Sequence, residues 1–113
     1  MKNIVIFDRA GAFAENKDVA RDIRKQEIIP ALDKNDEVTI DFQRVSGVTQ
    51  SFVHALISEI LRKYGTDVLD RIAFKSCNDT IKQIINIVVD YMQEGMGIET
   101  NDDDIVDNYP GGL

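Results

Sequence analysis

Residues 37–65 read EVTIDFQRVSGVTQSFVHALISEILRKYG, and two periodicities within them decide the fold. Val38, Ile40 and Phe42 alternate with Glu37, Thr39 and Asp41, the period of two expected of a strand with one apolar face. A polar turn with Ser46 and Gly47 follows. Thr49-Gln50-Ser51 then offers two hydroxyls where a helix should begin. Beyond them Phe52, Val53, Leu56, Ile57, Ile60, Leu61 and Tyr64 recur at helical spacing. Ser58, Glu59, Arg62 and Lys63 fall between them, and Gly65 closes the helix. A strand, a capped turn and an amphipathic helix make half of an α/β unit, and that turn is the expected seat of function.

Upstream, Ile4 to Phe7 is a short apolar run that reads as the first strand, and residues 8–13 read as a loop or a brief second strand. Asn16 can cap a helix with Val19, Ala20, Ile23 and Glu27 along one side and Arg21, Asp22, Arg24 and Lys25 solvated. Pro30 lacks a backbone donor, so it ends this helix or begins a short new turn. Leu32 should pack inward, and residues 33–36 form a polar turn. Downstream, Asp70 to Lys75 reads as a third strand, with Ile72 and Phe74 alternating against Arg71 and Ala73. Ser76 and Asp79 have capping-box spacing, with Asn78 an alternative cap. Ile81, Ile84, Ile85, Val88, Val89 and Met92 then mark a last helix, which Gly95 is expected to stop. Strands alternating with helices imply a small α/β sandwich: a mixed, mostly parallel sheet of roughly three to five strands with three helices. The expected domain spans residues 1–96. Residues 97–113 read as an acidic tail that need not pack, although Ile98-Glu99-Thr100 offers a short edge strand.

The formal net charge is −7. It is unevenly placed: residues 1–94 hold thirteen Lys and Arg against fifteen Asp and Glu, whereas the last nineteen residues hold five acids and no base. A nearly balanced body leaves no basic footprint for phosphate backbones or anionic lipids, so neither nucleic acid nor membrane is an expected partner. No apolar run approaches the ~20 residues that span a bilayer, and the N-terminus lacks a signal-peptide pattern. The single cysteine, Cys77, rules out an internal disulfide and suits a reducing cytoplasm, the expected location.

Val-Thr-Ile-Asp-Phe at residues 38–42, the Gly47-Val48 turn and Ser51-Phe52-Val53 opening a helix resemble the STAS-like family of unknown function, a relative of the anti-anti-sigma factors. The likeness is densest over residues 37–61, and its element order extends over roughly residues 4–92. Acidic residues commonly follow the Ser-Phe-aliphatic triplet in that family; His54 and Ala55 stand there in this chain. The resemblance implies a bacterial or phage regulatory protein. Its function would be a non-catalytic interaction with a histidine-kinase-like ATPase that acts as an anti-sigma factor or analogous switch. In anti-anti-sigma proteins the corresponding turn carries a regulatory phosphoserine, and the matching position is Ser51, with Thr49 second. Thr-Gln-Ser-Phe replaces their Asp-Ser-Ser-Gly.

The residues themselves leave several readings open. Ser51 and Thr49 lie at a helix N-terminus whose unpaired amides favour negative charge, so a phosphate there would be tolerated. The bland alternative is that both hydroxyls serve only as caps, worth ~1 kcal/mol. Asp41 either orients the turn by accepting its amides or is a solvated strand residue. Arg44, Gln50, Phe52, Val53 and His54 complete the expected partner face. Asp8 and Asp41 at neighbouring strand ends suggest a cation site or acid–base pair only weakly, because isolated strand-end acids are common. His54 and Cys77 lie on different elements and form no nucleophile–base set. No phosphate loop, dinucleotide fingerprint or zinc spacing is present. The expectation is therefore no enzyme, no cofactor, no metal, and a protein partner, with homo-oligomers compatible. The rival classes are an oligomerisation module without a switch and a small-ligand binder or enzyme using Asp8, Asp41 and Ser51.

Overall fold

The computed structural model describes residues 1–96. The acidic tail and its Ile98–Thr100 strand lie outside the described residues.

At the centre is β3 (Val38–Asp41), flanked by β1 (Lys2–Val5) and β5 (Ile72–Lys75), all parallel. The register stacks Lys2–Val38–Ile72, Asn3–Thr39–Ala73, Ile4–Ile40–Phe74 and Val5–Asp41–Lys75 in rows. Because successive side chains alternate, Ile4, Val38, Ile40 and Ile72 are buried on one face, while Asn3 and Ala73 are exposed on the other. The helices pack as one layer, with α2 (Lys17–Ile23) and α5 (Asp79–Met96) on either side of α4 (Gln50–Tyr64). Phe52, Leu56, Ile57, Ile60 and Leu61 of α4 are fully buried. Each such side chain contributes roughly 1.5–3 kcal/mol, which makes α4 the keystone of the core.

Several expectations are corrected. The sheet is not mixed: every strand pair among the described residues is parallel. The first strand ends at Val5, and Ile6 opens a five-residue helix, α1 (Ile6–Ala10), whose buried Ile6 explains why the run looked strand-like. The turn at Ser46–Gly47 holds a two-residue strand, β4 (Gly47–Val48), parallel to β2 (Phe13–Ala14). Thr66–Arg71 is a 3-10 turn, so β5 begins at Ile72 and not at Asp70.

From Lys17 to Asp33 the chain is continuously helical: α2, a π turn over Arg24–Ile28, and α3 (Ile29–Asp33). Ile29 N–H reaches back five residues to Arg24 O. Pro30 stands in the next position, where an ordinary α turn would set its ring against the Gln26 carbonyl; the wider turn relieves that clash. Arg24, expected in solvent, is buried, and its Nη1 donates to Ala55 O at 2.7 Å.

Asn16 caps α2 as its position suggests, accepting from Asp18 N–H at 2.8 Å. Asn78 caps α5, accepting from Ile81 N–H at 2.9 Å. Ser76 instead sits two residues earlier in the left-handed region at φ 60°, so the Ser76–Asp79 capping box does not form. Helix α5 runs through Gly95 as far as Met96. None of the helices among the described residues is long and apolar enough to cross a membrane.

Candidate interaction site at the β3–α4 junction

β3 delivers the chain to the carboxyl edge of the sheet, where ligands and partners of open α/β folds usually meet loops. Asp41 ends the strand, is 5 % exposed, and its Oδ1 accepts from Gln43 N–H at 2.9 Å. Val45 N–H donates to Phe42 O at 2.9 Å, closing a turn in which Arg44 takes φ 67°. That left-handed conformation is costly for a residue with a Cβ. It directs the exposed Arg44 guanidinium 5.6 Å from the Phe7 ring centre, a cation–π contact from β3's loop to α1.

The next residues are stitched to the β2 arm. Ser46 gives both its N–H, at 2.7 Å, and its Oγ–H, at 3.0 Å, to Ala12 O, and Thr49 N–H donates to Ala14 O at 3.0 Å. Asn78 Nδ2 donates to Ser46 O at 2.9 Å, tying the junction to the start of α5. Gly47 faces Phe13 across β2–β4; a Cβ at residue 47 would stand 2.8 Å from the Phe13 ring, so only glycine lets the ring lie there.

The two hydroxyls divide their work. Thr49 is the N-cap: its Oγ1 accepts from Phe52 N–H at 3.1 Å. Ser51, in the first turn of α4, is exposed and makes no side-chain hydrogen bond among the described residues. Gln50 is half-exposed beside it. Phe52 and Val53, expected on the partner face, are only 0 % and 1 % exposed, because the helix turns that edge onto the core. They are core residues and not contacts. His54 is half-buried; burial, with the Arg62 charge adding to it, holds its imidazole pKa below the usual 6.5, opposed by Glu59.

The other candidates do not converge on the turn as a reactive set. Asp8 is exposed on α1. Cys77 is half-buried; burial pushes its thiol pKa up, Lys82 pulls it down and Asp41 adds to the rise. Among the described residues no cluster of His, Cys, Asp or Glu could hold a metal ion. What the junction offers among the described residues is a braced surface with an unbonded hydroxyl, Ser51, at a helix start. Sequence reasoning missed Phe13, which is 51 % exposed beside the junction, and Arg24 beneath α4. Gly47 in the polar turn was the available signal for the first, since a glycine marks a close approach; nothing in the helical pattern marks the second.

Compared with known proteins, the chain matches no curated protein and no solved structure. A family model described as a STAS-like domain of unknown function matches residues 20–82, more than half of the 113 residues, from α2 through the junction to the first turn of α5. The chain belongs to that STAS-like family.

Proposed function

We propose that this protein is a non-catalytic interaction domain that regulates a partner protein through the β3–α4 junction, with Ser51 as its phosphorylation switch. The partner class, suggested by resemblance, is a histidine-kinase-like ATPase. The observation that carries this reading is the division of labour between hydroxyls: Thr49 caps the helix, leaving Ser51 exposed and, among the described residues, unbonded. A phosphate on Ser51 would sit where the helix dipole favours it, so the fold would tolerate the group while about two negative charges entered the contact face. That face comprises Arg44, Gln50, Ser51 and the edge of His54. Phe52 and Val53 support it from beneath.

The test uses tagged wild type, Ser51→Ala and Ser51→Asp as baits in the native host. A partner retained by wild type and Ser51→Ala, and reduced at least about tenfold with Ser51→Asp, supports the switch; like-charge repulsion across a contact is of that size. The same proteins recovered equally by all three baits would sink it. Phosphopeptide mapping of wild type distinguishes Ser51 from Thr49.

The half-exposed Phe13 favours a second reading, an oligomerisation module without a switch. Sedimentation of wild type and Phe13→Ser over a concentration series separates the two, since only this reading requires a Phe13-dependent oligomer.

A further inference from the structure

The free edge of β5 has a distinct chemistry. β5 pairs only with β3 and so ends the three-stranded sheet among the described residues. Phe42 N–H donates to Lys75 O at 2.9 Å, which turns the backbone groups of Lys75 toward β3. Strand alternation therefore points the N–H and C=O of Phe74 outward from the sheet edge. Exposed strand edges are usually paired, covered or charged, because their polar groups invite another strand. At the carboxyl end of this edge stands the exposed Lys75, and the exposed Lys82 follows in the first turn of α5, its charge reaching Cys77 between them. Neither has an ion-pair partner among the described residues.

The geometry points to an occupant from this same chain: the acidic segment that follows Met96. Helix α5 has eighteen residues, about 27 Å at 1.5 Å per residue, enough to return the chain from the carboxyl end of β5 to the amino end of the sheet. The connections β1→β3 and β3→β5 make the same kind of return, and each places the next strand one position further along the sheet. A third right-handed crossover brings the chain to the open side of β5. There the sequence supplies Gly97, a residue suited to leaving a helix, then Ile98-Glu99-Thr100 to pair with Phe74. Asp102-Asp103-Asp104 follow, and a parallel run carries them toward the end of the edge where Lys75 and Lys82 stand. Residues 97–113 contain five acids and no base, so their charge is complementary to that end.

Amide hydrogen exchange on the full-length chain tests this, reading Phe74 against Ala73 and Lys75. In wild type the Phe74 amide should exchange slowly, like its two neighbours. Replacing Asp102, Asp103 and Asp104 together with Asn should speed it at least about tenfold, the scale of one lost hydrogen bond. Lys75→Glu with Lys82→Glu should do the same, and adding Asp102→Lys, Asp103→Lys and Asp104→Lys in that background should restore protection. A Phe74 amide that exchanges freely in wild type while Ala73 and Lys75 remain protected overturns the proposal. Protection that survives the charge changes and varies with protein concentration also overturns it, in favour of a second copy on the edge.

Discussion

Two strand-to-helix junctions lie side by side at the carboxyl edge of the sheet, and they solve the same problem at different lengths. From β5 to α5 the chain takes residues 76–78, with Ser76 at φ 60° and Asn78 as cap. From β3 to α4 it takes residues 42–49, with Arg44 at φ 67° and Thr49 as cap. Both use one non-glycine residue in the left-handed region and one polar side chain on the first helical amides. The difference is β4, inserted only in the longer junction and held by the β2 arm. The short junction is a hinge between two elements. The long one is a small platform, and its surplus hydroxyl, Ser51, is the product of that extra length.

The comparison breaks most severely beneath the platform. Phe52→Ala should cost about 3–5 kcal/mol in denaturant unfolding, the range for a large buried aromatic. Its neighbour Ser51→Ala should stay within about 0.5 kcal/mol, so a similar loss at both positions would contradict the division between core and surface. The caps come next. Thr49→Ala should cost ~1 kcal/mol, and Asn78→Ala about 1.5 kcal/mol, because Asn78 also donates to Ser46 O across the two junctions. Equal losses would mean that the cross-brace contributes nothing.

A pH series sharpens the comparison further, since His54 lies on α4 and no histidine lies on α5. Burial depresses its folded pKa below 6.5, so the unfolded chain takes up a proton that the folded chain refuses. Stability should therefore decline as pH falls through about 6.5 and keep declining until the folded value is reached. Asp36, lowered chiefly by the N-terminal ammonium from 3.8, titrates well below this window. Urea midpoints between pH of about 7.5 and 5.5 should fall in wild type and stay level in His54→Gln. The smallest effects are gains: Arg44→Gly and Ser76→Gly relieve the left-handed backbone, each by up to about 1 kcal/mol, partly offset by glycine's greater freedom when unfolded.

What the sequence made legible follows from how many residues report on each feature. β3 and α4 were plain because many apolar positions repeat in each, and the caps Asn16 and Asn78 were visible from residue type and position. β4 escaped because two residues carry no period, and α1 because Ile6 and Phe7 extend the apolar run of β1. At the candidate site, the sequence located the turn and its two hydroxyls. It could not show that Thr49 alone caps, since that depends on rotamer and φ, or that the core covers the apolar stripe as far as Phe52 and Val53, since coverage is set by tertiary packing. Arg24 looked solvated because a charged side chain on a helix usually is; the π turn carried it inside.

That π turn amounts to one surplus residue in an otherwise regular helix. Removing any single residue between Arg24 and Ile28 would rotate everything upstream by about 100° relative to α3. The buried Ala20 and Ile23 would swing away from α4, and Arg24 would leave the Ala55 carbonyl. Helix phase at one distant turn thus sets the footing of the surface on which Ser51 stands.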